Sequence, residues 1–196
     1  MRLSLLLFAL ALPLASSAQT TIGVRAGINT SFWSGDDTDL SEARLGFTGG
    51  LVGRYAVTPT IGVQAEALYS QKGVREVVAD NTVSTYKLDA IDIPVLVRLG
   101  VPVSPFADAG AFVGPTFSIP VNAARDFADD RATISDLDTK TAYGVTVGVD
   151  FYSGPFGVDL RFNTGLSDAF GADGPARFDG VKDQVFSATL GYRFGG

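Results

Sequence analysis

From Thr21 onward the chain alternates apolar and polar residues in one run after another. Such alternation puts successive side chains on opposite faces of a β-strand. The clearest run is residues 183–194, where Phe186, Ala188, Leu190, Tyr192 and Phe194 share one parity and Ser187, Thr189, Gly191 and Arg193 the other. Seven earlier runs repeat the pattern, and they predict strands at residues 21–31, 45–57, 60–71, 86–99, 105–117, 140–151 and 156–164. Val145, Val147, Val149 and Phe151, for example, oppose Gly144, Thr146, Gly148 and Asp150. The fifth run is thin, with Ala107, Ala109, Ala111 and Val113 as its apolar face. Pro94 in the fourth has no N–H for a ladder and predicts a bulge or a local break.

The connections alternate in length. Residues 32–44, 72–85, 118–139 and 165–182 are long and polar, while 58–59, 100–104 and 152–155 are short. Residues 121–136 leave room for one helical turn within their loop. Eight strands joined in this way read as an antiparallel up-and-down barrel.

Residues 1–18 read differently. Arg2 precedes an apolar run over 3–14, and Ser16, Ser17 and Ala18 are the small residues of a cleavage site. That is the pattern of a secretory signal peptide, and the run is shorter than the about 20 residues of a spanning helix. The expected organisation is a signal peptide over 1–18 and one barrel domain over 19–196. Without Arg2, 14 basic and 21 acidic residues leave a net charge of −7, which argues against a nucleic-acid partner. The sequence has neither Cys nor His, so thiolate metal sites, disulfides and His-dependent hydrolysis are absent. No cofactor is called for.

Three features decide which face of the strands points outward. Eleven glycines, among them Gly27, Gly50, Gly110 and Gly148, share the polar parity, where a crowded interior needs small neighbours. That parity also carries Arg25, Arg54, Arg98, Arg161 and Arg193 beside Glu66, Asp92, Asp108, Asp150 and Asp159. Five bases cancel five acids, and all five are arginines, which suits buried forked pairing. Gln64, Phe106, Phe112 and Asn163 join them in the predicted lumen. Finally, Tyr55, Tyr69, Tyr86, Tyr143, Phe151, Phe156, Tyr192 and Phe194 lie near strand ends, where interfacial girdles form. The apolar face is therefore predicted to meet lipid and the polar face to fill the barrel.

The stretches 23–29 (GVRAGIN), 46–50 (GFTGG), 68–73 (LYSQKG), 92–96 (DIPVL) and 110–115 (GAFVGP), in this order and spacing, resemble the eight-stranded outer-membrane β-barrel domain of Gram-negative bacteria often labelled the porin family. The resemblance implies an outer-membrane location and contact with outer-membrane lipid, with no known activity attached. The closing run ends on Tyr192 and Phe194, which resembles the terminal strand signal that the barrel-assembly machinery reads.

The inward carboxylates match the inward arginines in number, so the sequence favours salt bridges over catalysis, and a non-enzymatic protein is expected. The long connections, counting Asp183 at the end of the last with them, hold fifteen acids and seven bases, Lys72 among the latter. Asp36, Asp37, Asp39 and Glu42 lack the glycine and spacing of an EF-hand loop, and read as solvated acid. The expected role is structural or interactive: a monomeric barrel with a plugged, charged interior and acidic outer loops. The alternative is a narrow passive channel for small solutes.

Overall fold

The computed structural model describes residues 20–34, 41–78, 82–127, 133–135, 141–167 and 182–194. The expected signal peptide and the acids Asp36, Asp37 and Asp39 lie outside them. Every regular element among the described residues is a strand: β1 (Thr20–Ser34), β2 (Ser41–Ala56), β3 (Ile61–Val78), β4 (Thr82–Ser104), β5 (Ala107–Phe127), β6 (Thr133–Ser135), β7 (Ala142–Ser153), β8 (Phe156–Gly165) and β9 (Lys182–Phe194). Successive wall strands pair antiparallel, with β5 pairing β7 across the short β6, β9 returns to β1, and eight strands close into an up-and-down barrel. The short β6 pairs with β5 beyond the barrel wall.

The stagger follows from the pairing. Stepping across partners from Thr20 passes Tyr55, Val63, Val97, Val113, Val147, Phe162 and Phe186, and returns to β1 at Thr30, a slide of 30 − 20 = 10 residues. Closing a sheet with such a slide tilts the strands, by about 35–45° in barrels of this kind.

The tilted wall has an apolar outside. Ile22, Val24, Ile28, Leu51, Val97, Leu99, Val149, Leu160 and Leu190 are exposed, as the alternation requires. Tyr55, Phe151, Phe156, Tyr192 and Phe194 ring the end that carries the short turns, with Phe156–Tyr192 and Tyr192–Phe194 centroids 5.2 Å apart. Phe47, Phe117, Tyr143 and Phe186 ring the other end. These are the two aromatic girdles of a membrane-spanning barrel. The turn between β7 and β8 reverses at Gly154, whose φ of 56° favours glycine.

The strands differ from the sequence expectation at their ends. Residues 72–78 and 82–85 were expected in a connection, yet they continue β3 and β4 as far as the pair Val78 and Thr82. Residues 121–127 extend β5, and 133–135 form β6 against it, so the described part of the segment expected to hold a helical turn is strand, and 128–132 and 136 lie outside the described residues. Residues 100–104 continue β4, and the reversal falls at Pro105–Phe106. In β3, β4 and β5 at the end with the long connections, backbone pairing goes on where no apolar face is required, so the alternation fades before the strand does, whereas residues 100–104 keep exposed Val101 and Val103. At Pro94 no bulge forms. The ladder to β3 breaks between Ala65–Val95 and Leu68–Asp92 and resumes in the same register.

The charged lumen as candidate functional site

The inward residues stack in layers along the barrel axis. Nearest the short turns, Arg98 reaches Asp150 at 2.8 Å through Nε and Asp108 at 2.5 Å through Nη2. Arg193 donates to the other oxygen of Asp108 at 2.6 Å, and Arg54 to Asp150 at 3.2 Å. Tyr152, buried beside them, lies under both guanidinium groups, 3.7 Å from Arg193 and 5.3 Å from Arg54. Three cations over two carboxylates leave this layer one positive charge.

The middle layer is a closed ring. Arg161 donates to Glu66 at 2.8 Å and to Asp159 at 2.7 Å. Arg25 donates to Asp159 at 2.6 Å and approaches Glu66 at 3.5 Å. All four side chains are almost wholly enclosed. Gln64, at 0% exposure, links this ring to the first layer by accepting from Arg54 Nε at 2.9 Å and donating to Glu66. Phe112 faces Arg161 at 5.2 Å.

Above the ring the lumen turns neutral. Thr48 and Ser70 share a hydrogen bond of 2.9 Å, Thr116 and Thr146 one of 2.6 Å, and Asn163 donates to Thr146 at 2.8 Å. Thr189 also lines this layer, around a cavity of about 30 Å³. That is room for a water molecule or two, since one needs roughly 10–15 Å³. Beyond it Lys72, only 3% exposed, bonds Asp92 at 2.8 Å and Ser118 at 3.2 Å, and pairs with Asp183 at 3.7 Å. Two carboxylates thus share one ammonium here, and the Arg44 guanidinium donates to the Lys72 carbonyl.

All ten charged residues singled out in the sequence therefore lie inside the wall, each with an opposite charge. Lys72 and Asp183 belong to the network as well and were missed. They had been placed in outer connections, so the expectation that every inward base is arginine is corrected. Both stand on the inward parity of their strands, a signal hidden because the strands outrun their apolar faces. Tyr152, expected in a turn, is another inward residue. Phe106 is corrected the other way: it sits at a hairpin tip, 81% exposed.

The model of the outer membrane protein beta-barrel domain matches residues 3–194. Ail, the attachment invasion locus protein of Yersinia pestis, solved in complex with the heparin analogue sucrose octasulfate, superposes with a TM-score of 0.53 at 17% identity, over 90% of this chain and 99% of Ail. Neisserial surface protein A superposes with a TM-score of 0.53 at 14% identity, over 88% of this chain and 97% of that one. No curated protein sequence matches the chain. Structural likeness at such identities speaks for the fold, and the match to the family model spans nearly the whole sequence: the chain belongs to the outer membrane protein β-barrel domain family, as a protein of the bacterial outer membrane.

Proposed function

We propose that this barrel is a non-enzymatic, monomeric outer-membrane protein whose lumen is plugged and whose outer surface carries its role. The observation that supports the plug is the middle ring of Arg25, Glu66, Asp159 and Arg161, whose side chains are enclosed within the wall and paired with one another. An eight-stranded barrel has an interior only wide enough for its own side chains. Each charge in the ring has a partner, so opening a path would strand charges at a cost of several kcal/mol, roughly.

The outer surface supports the second half of the reading. β3, β4 and β5 continue past the rim, because β5 from Ile119 onward has no partner in β7. With β6 they form a sheet beyond the rim, at the end of the barrel where the long connections, rich in Asp and Glu by sequence, join the strands. Such a surface suits a cationic partner. Ail was solved with a polyanion, and the acidic outer segments of this chain give no ground for extending that ligand class to it. The signal peptide over 1–18 would route the chain through the inner membrane, and Tyr192 and Phe194 would present it to the assembly machinery.

Planar-bilayer recording of the purified protein tests the plug, with no steady single-channel steps as the expected result. Reproducible steps would overturn it and favour a narrow passive channel, the reading to which the hydroxyl-lined cavity above the ring contributes. Expression without any change in membrane lipid composition is the expected result for a protein that is not a lipid-modifying enzyme.

A further inference from the structure

The hairpin between β4 and β5 descends past the lower girdle. β3 begins at Ile61, paired with Leu99, so residues 101–104 of β4 extend below the end of their neighbour. Their ladder to β5 continues through Val101–Ala109 and Pro102–Asp108 and, after a register shift at Val103, Ser104–Ala107. Val95, Val97, Leu99 and Val101 stand on the outward parity as one apolar line, and past a register shift Val103 and, at the tip, Phe106 are exposed as well. Val101 is 58% exposed, Val103 60% and Phe106 81%. The carbonyl of Phe106 accepts from Gly154 N at 2.7 Å, which ties the tip to the adjoining turn. Residues 99–107 contain no charge, and the flanking Arg98 and Asp108 are engaged with each other inside the lumen.

We infer that this hairpin is a membrane-interface anchor, which buries Val103 and Phe106 among the headgroups and upper acyl chains of the periplasmic leaflet. Two observations select lipid as the occupant. The apolar line is continuous with the lipid-facing wall, so the same solvent covers both. The free edge of β4 below Ile61 carries Pro102, and Pro105 stands at the turn, so the edge offers a poor template for a strand added by another protein. An aromatic ring at a membrane boundary is stable there because its apolar body leaves water without crossing the hydrocarbon.

The test replaces the single tryptophan, Trp33→Phe, and places a reporter at the tip, Phe106→Trp. The full barrel is reconstituted in phosphatidylcholine vesicles with no other protein, and its fold is checked by heat-dependent gel migration. The expected result is a blue-shifted emission, loss of quenching by aqueous iodide, and quenching by lipids brominated near the glycerol. In parallel, Phe106→Cys in this cysteine-free chain carries a nitroxide, whose collisions should favour oxygen over a water-soluble nickel chelate. A water-like emission with full iodide quenching, or a nitroxide open to the chelate, would overturn the anchor and leave the tip as a periplasmic surface.

Discussion

Arg161 holds two carboxylates at once, Glu66 and Asp159, deep in the lumen. Removing its side chain leaves Arg25 as the one cation facing both. Arg161→Ala is therefore expected to destabilise the barrel by about 3–5 kcal/mol, the usual cost of orphaning a buried charge. Urea unfolding in detergent micelles measures it, with the lipid-facing Leu190→Ala as the comparison. A loss no larger than that of Leu190→Ala would mean that water fills the lumen and screens the pair. The inward position of Arg161 was legible because parity along one strand is local. That it serves two acids, one of them 95 positions away, was not, because parity says nothing about which residues meet across a lumen.

At the scale of the element, β9 carries the closure. Tyr192 pairs with Val24 of β1 and with Phe156 of β8, and Phe194 pairs with Ile22. A chain ending before Tyr192 loses the lower part of that seam and leaves backbone groups of β1 and β8 unpaired at the membrane boundary, which lipid does not satisfy. Truncation is expected to abolish heat-modifiable, membrane-inserted protein, as read by gel migration and surface protease accessibility. Normal levels of the truncated protein would show that the upper seam alone closes the barrel. The existence of all eight wall strands was legible, and several of their ends were not. Between Lys72 and Val78 the backbone keeps pairing with β4, although the apolar periodicity that marked the strand has ended with the lipid.

The curvature of the whole barrel rests on glycine in a way that the strands taken singly do not reveal. Inward glycines fall into two groups. Gly110, Gly148 and Gly157 make room for the side chains of Arg98, Phe112 and Tyr152, the crowding inferred from the sequence. At Gly27, Gly50 and Gly114 a methyl group would instead overlap the carbonyl oxygens of Ala188, Ala67 and Val95 on adjoining strands. Tight coiling brings these backbones together on the concave face, and glycine at such points lets the sheet bend. Gly50→Ala is expected to cost about 1–3 kcal/mol through overpacking. Gly53→Ala, on the outward face with the nearest atom 3.8 Å away, should be almost neutral. Urea unfolding of the two variants compares them, and equal stabilities would refute the curvature role.

What the sequence determined by itself is the division of the chain into faces. A strand's side chains alternate with period two, and the outer face of this wall must be apolar over the thickness of the bilayer, so membership of wall or lumen is written locally. The tertiary structure decided the rest through the ten-residue slide that closes the barrel. That slide sets which charges share a layer, brings Lys72 and Asp183 together, and lets β4 and β5 run on below the girdle to expose Phe106. None of these follows from a local period, because each depends on how strands distant in sequence are aligned.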